Sequence, residues 1–212
     1  MALWDQLARN QTAITLYSPD GSSQVEAHYI ENRGDYHVTL YVKGRIGVLK
    51  VNIGLGVGSE VLWAADSESF FVTTSDQGAN GLYRLIVVGR FGGRLQSKDV
   101  SKLIYSVFGH PVRCGWPEPP NVAGVGWLPS GNVLVAAEIV NHSNCDSSGT
   151  FRAFEVNPTT LTIVNRYGQL EAKKRFRSLL GRELRDAPDD CIARPRSCFV
   201  SANHPEMHTR KP

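Results

Sequence analysis

Along three stretches of this chain two apolar-rich runs flank a polar tip, alternating with a period of two in the first, and each stretch is headed by an aromatic residue and a turn. In the first, Tyr17-Ser18-Pro19-Asp20-Gly21 leads through Val25-Glu26-Ala27-His28-Tyr29 to Tyr36-His37-Val38-Thr39-Leu40-Tyr41-Val42. In the second, Trp63-Ala64-Ala65-Asp66-Ser67 leads to Phe70–Thr74 and then Leu82–Val88. In the third, Trp127-Leu128-Pro129-Ser130-Gly131 leads to Val133–Ala137 and then Thr150–Val156. Each pair of runs predicts an antiparallel hairpin, and the repetition predicts a repeat architecture. The hairpin tips, at 31–35, 75–81 and 141–149, lengthen from the first copy to the third and are rich in Gly, Asn, Asp and Ser.

Further elements surround the hairpins. A strand is expected over about Val48 to Ile53, another at Glu60–Trp63, and a last one at Leu161–Val164. Gly54-x-Gly56-x-Gly58 runs into that strand rather than into a helix, so it reads as a glycine-rich loop and not a phosphate cradle. Ser97–Val107 predicts a short helix capped by Ser97, with Val100, Leu103, Ile104 and Val107 as its buried stripe. Gln169–Arg185 predicts a second helix, with Phe176, Leu179, Leu180 and Leu184 on one side and Lys173, Lys174, Arg177 and Arg185 on the other. The expected organisation is a β-repeat domain over 1–168, with a C-terminal helix and tail over 169–212 packed on it.

The headings Tyr17/Ser18/Pro19/Asp20/Gly21, Trp63/Asp66/Ser67 and Trp127/Pro129/Gly131 resemble the W-x-P-D-G blade signature of TolB-like and WD40-like β-propellers. That resemblance implies blades stacked about an axis, with loops presented for recognition. Propellers have about four to eight blades of four strands. Three copies and a C-terminal helix therefore predict a mainly β fold of three propeller-like antiparallel hairpin repeats, either a partial propeller or an open multi-stranded sheet. An unclosed stack leaves sheet faces to be covered, and the helix at 169–185 is the expected cover.

Composition narrows the class only modestly. The 212 residues are 42% hydrophobic and 20% charged, with a formal charge of +3. So small an excess gives no reason to expect a nucleic-acid partner. No apolar run reaches the roughly 18 residues that a membrane span needs. Met1-Ala2-Leu3-Trp4-Asp5 has no secretory h-region, so the expectation is a cytoplasmic protein or a mature exported chain. Cys114, Cys145, Cys191 and Cys198 all lie among loop-forming residues, which favours disulfides in a periplasmic or secreted protein over free thiols. Four cysteines allow three pairings, and the sequence does not choose among them.

Catalytic chemistry leaves little trace. There is no nucleophile elbow, zincin motif or P-loop, and the six histidines show no metal spacing, so neither a metal nor a cofactor is expected. His28 and His37 lie on the two strands of the first hairpin, on its solvent side. The candidate recognition residues are Arg33 at the first tip, Arg113 and Trp116 in the proline-rich loop, and Asn144 and Asp146 at the third tip, since Arg and Trp are the usual anchors of protein interfaces. The expectation is a non-enzymatic protein-binding module of the bacterial cell envelope, such as an immunity or inhibitor protein that binds a toxin or hydrolase. The alternatives are a hydrolase assembled from different repeats and a structural module completed by oligomerisation.

Overall fold

The computed structural model describes residues 13–32, 35–53, 59–75, 82–108, 119–139 and 149–187, with side chains 29–32 and 35–37 excepted. Among these residues are twelve strands in three separate four-stranded antiparallel sheets, each in simple chain order. The first holds β1 (Ala13–Tyr17), β2 (Ser23–Asn32), β3 (Asp35–Gly44) and β4 (Leu49–Asn52). The second holds β5 (Glu60–Trp63), β6 (Ser69–Ser75), β7 (Tyr83–Phe91) and β8 (Arg94–Asp99). The third holds β9 (Asn121–Trp127), β10 (Val133–Glu138), β11 (Phe151–Asn157) and β12 (Thr162–Tyr167). The sheets do not close into a barrel: the fold is an open, mainly β arrangement, as expected.

The repeated heading is the turn between the first two strands of each sheet. Its fourth residue after the aromatic has a positive φ in every copy: Gly21 at 70°, Ser67 at 61° and Gly131 at 77°. Glycine adopts that conformation without a Cβ clash, which accounts for two of the three residues. The residue just before it ties the turn. Asp20 Oδ1 accepts the Ser22 N–H at 2.9 Å, Asp66 Oδ1 accepts the Glu68 N–H at 2.9 Å, and Ser130 Oγ accepts the Asn132 N–H at 3.4 Å. An oxygen on a short side chain suits this local bond, so Asp and Ser recur there.

Period-two alternation then decides which faces are dry. In the first sheet Val25 and Ala27 on β2 and Val38, Leu40 and Val42 on β3 are buried, facing Phe70, Val72 and Val88 of the second sheet. The second sheet's other face, with Phe71, Leu85 and Val87, packs on Val133, Val135, Phe154 and Val156 of the third. β6 is buried along its whole length because it has a sheet on either side. Fully burying a Val, Leu or Phe contributes about 1.5–3 kcal/mol, so these two layers dominate the stability.

The ends of the stack differ. On the outer face of the first sheet Gln24, Glu26, His28, Tyr41, Lys43 and Lys50 occupy the places that Phe70, Val72 and Ile86 hold in the second. Glu26 bonds to Lys43 at 2.8 Å and to His28 at 3.2 Å, and the His28 ring lies 4.8 Å from that of Tyr41. His37 pairs with Ile30, two places along from Thr39, the register partner of His28. The far face of the third sheet is apolar: Leu134, Ala136, Phe151, Ala153 and Tyr167 are covered by Ala172, Phe176 and Leu180. The C-terminal segment covers this face through Ala172 and through Phe176 and Leu180, which follow it in the chain.

Its form is shorter than the periodicity suggests. The segment is helical over α2 (Gln169–Arg175) and, after α1 (Val100–Phe108) in chain order, again over α3 (Arg182–Asp186). Between them the chain turns so that Phe176 meets Tyr167, ring centroids 5.0 Å apart, and Leu180 enters the layer. Gly181 sits in extended conformation as the N-cap of α3. α1 likewise begins at Val100, not Ser97. Ser97 pairs with Val88 in β8, and Asp99 Oδ1 caps the helix by accepting the Ser101 N–H at 3.0 Å. Val100 and Ile104 of its expected stripe are buried, while Leu103 and Val107 are partly so.

Candidate functional site

The connections sort onto opposite ends of the stack. At one end lie short turns: 18–22, 45–48, 64–68, 92–93, 128–132 and 158–161. At the other end lie the strand termini that border residues 33–34, 54–58, 76–81, 109–118 and 140–148. Strand register places them together, because Asn32 pairs with Asp35, Ser75 with Tyr83, Glu60 with Thr73 and Asn121 with Glu138. Thr74 Oγ1 donates to the Ile53 carbonyl at 2.9 Å, which aligns this end of the first sheet with that of the second.

A cavity of about 440 Å³ opens at this end between the second and third sheets. Polar bonds between sheets define its depth. The Tyr83 N–H donates to Asn121 Oδ1 at 2.9 Å, and the Gly124 N–H donates to Thr73 Oγ1 at 2.9 Å. β9 can approach this closely because residue 124 is glycine: a Cβ there would lie 2.5 Å from the Phe71 ring. Leu179 and Gly181–Leu184 of the C-terminal segment form a further wall.

Three carboxylates border the cavity: Glu60 from β5, Glu138 from the end of β10 and Glu183 from α3. Burial, aided by the negative charge of Glu183, pushes the Glu138 carboxyl up to about 7. No hydrogen-bond partner for Glu138 occurs among the described residues, so nothing offsets that desolvation. Arg182 also borders the cavity, but its Nε lies 3.5 Å from Asp186 Oδ2 on its own helix. Among the described residues no three carboxylates or imidazoles gather closely enough to hold a metal ion.

Glu155 shows the opposite electrostatics. Its buried carboxylate accepts bonds from Asn132 Nδ2 at 2.7 Å, Asn165 Nδ2 at 2.7 Å, Tyr167 Oη at 3.0 Å and Ser130 Oγ at 3.2 Å. These donors, Asn132 first, hold it below the usual carboxylate range. It fastens the third repeat's heading turn to β11 and β12, a structural duty.

Arg33, Arg113, Trp116, Asn144, Asp146 and all four cysteines lie outside the described residues. What the structure adds is the common end at which the flanking strands place those segments, and the cavity there. The cavity's residues had one sequence signal: Glu138 closes the otherwise apolar run Val133–Ala137. Compared with family models, curated proteins and solved structures, the chain has no match.

No helix among the described residues is long and apolar enough to cross a membrane.

Proposed function

We propose that this chain is a non-enzymatic protein-binding module that meets its partner with the end of the stack from which the hairpin tips emerge. The observation that carries this reading is the asymmetry of the connections. Tight turns close one end, and every long connection borders the other. A rigid scaffold with its long loops gathered on one side is the usual arrangement for recognition. In its most specific form the protein is an immunity or inhibitor protein of the bacterial cell envelope that binds a toxin or hydrolase. Export to the periplasm or beyond, with disulfides among Cys114, Cys145, Cys191 and Cys198, is supported by their place among loop-forming residues. The propeller resemblance of the three headings agrees with this use of loops.

The test is co-purification of a tagged chain under non-reducing conditions, followed by replacement of tips 31–35, 75–81 and 141–149 with Gly and Ala. Loss of a stoichiometric protein on tip replacement supports the reading, and its retention overturns it.

One observation favours a second reading, a hydrolase. Glu138 keeps its proton near neutral pH beside the Glu183 carboxylate, an acid and a base in one cavity. Turnover of a sugar or peptide substrate that Glu138→Gln removes would decide for it.

A further inference from the structure

We infer that the cavity between the second and third sheets is a socket for a lysine or arginine side chain carried by a segment of the bound protein. This rests on the binding reading above and names what the partner inserts.

The walls match that chemistry in two parts. Ala123, Val125, Ala136 and Leu184 offer an apolar lining for a methylene stem, and Glu138 and Glu183 supply negative charge for the head. At about 440 Å³ the space falls within the range of sites that enclose small ligands, and it admits a side chain with part of its backbone. Other occupants fit less well. An anion would meet Glu60, Glu138 and Glu183 against Arg182 alone, and Arg182 is already drawn to Asp186. A purely apolar group would cover the Glu138 carboxyl, which has no hydrogen-bond partner among the described residues, at a cost of about 1–3 kcal/mol. A cation with N–H donors satisfies it.

The inference fixes a pH signature. The titratable or charged groups facing Glu138 are Glu60 from β5, Tyr83 from β7, and Arg182 and Glu183 from α3. An entering cation favours ionised Glu138, so insertion releases its proton. Affinity should then fall about tenfold from pH 8 to about pH 6, as the proton competes with the cation.

The experiment follows the Glu138 side-chain carboxyl by isotope-edited NMR during pH titration of the full chain. It is run alone and with about 50 mM n-butylammonium, ethylguanidinium, n-butanol or butyrate, a range suited to millimolar affinities. The expected result is a lowered Glu138 midpoint with the two cations only, lost in Glu183→Gln. In Glu138→Gln, which retains the shape, the cation-induced shifts of the Val125 and Leu184 methyl signals should weaken about tenfold. An unchanged midpoint, or an equal response to butanol or butyrate, overturns the socket. If tip replacement removes the partner while the cations do nothing, the socket alone fails. If the cations bind while tip replacement leaves the partner in place, the loop-end reading fails instead.

Discussion

The indole nitrogen of Trp127 donates a hydrogen bond to the main-chain carbonyl of Leu62 across 3.1 Å, joining the aromatic that heads the third repeat to the first strand of the second. Trp63, at the same place in the second repeat, has a buried indole nitrogen with no partner among the described residues. Trp127→Phe removes a bond and leaves a carbonyl without its donor, whereas Trp63→Phe removes an N–H that has no partner among the described residues. Trp127→Phe should therefore be the more destabilising of the two by about 1–2 kcal/mol in urea denaturation. Equal losses would mean that the inter-sheet bond contributes nothing.

Glu155 makes a prediction about acid. Its folded-state pKa lies below that of the unfolded chain, so its contribution is present above the unfolded value. It is lost as pH falls through the folded one. Glu155→Gln presents an amide to donors that require acceptors, and should cost about 2–3 kcal/mol at neutral pH. The gap to the parent should narrow in denaturation curves measured at successively lower pH, as the parent carboxylate is itself protonated.

Glu138 carries the opposite sign. With its pKa raised to about 7, the folded state holds a proton that the unfolded chain gives up from about 4.5. Stability therefore falls as pH rises between those values and stays lower above them. Glu138→Gln should be more stable than the parent by about 1 kcal/mol above pH 8, with no gain at or below about pH 4.5. Thermal unfolding at the two pH values checks this, and a gain independent of pH would exclude titration as its source.

The C-terminal cover can be tested by removal. Leu180→Ala empties a fully buried site against the third sheet and should cost about 2–5 kcal/mol. A chain ended after Tyr167 would expose Leu134, Ala136, Phe151 and Ala153 together. Light scattering should then find it associated or aggregated. A monodisperse monomer would show that this face does not need its cover.

Elements whose two faces differ in polarity were legible in the sequence. The β2–β3 hairpin reads directly because Val25, Ala27, Val38, Leu40 and Val42 alternate with polar residues. The β6 and β10 runs also read as strands, and the structure buries them because apolar residues supply both faces. β8 did not read as a strand: Arg94-Leu95-Gln96-Ser97-Lys98-Asp99 is polar, and only its ladder to β7 makes it one. The final helix is shorter than its periodicity implies: that periodicity marks residues that pack on the third sheet, while the helix stops at Arg175 and resumes at Arg182. The cavity was the least legible part. Glu60, Glu138 and Glu183 belong to three distant segments, and no local pattern says that β5, β10 and α3 share one end.

The second repeat differs from its neighbours in packing an apolar-rich face against another sheet on each side. The first repeat gives its outer side to Glu26, His28 and Lys43, and the third gives its outer side to a helix. Lengthening this protein is therefore an operation on its middle. A duplicated 60–99 segment spliced between the second and third repeats meets apolar surfaces on both sides, whereas the same segment joined ahead of Ala13 would rest on charge.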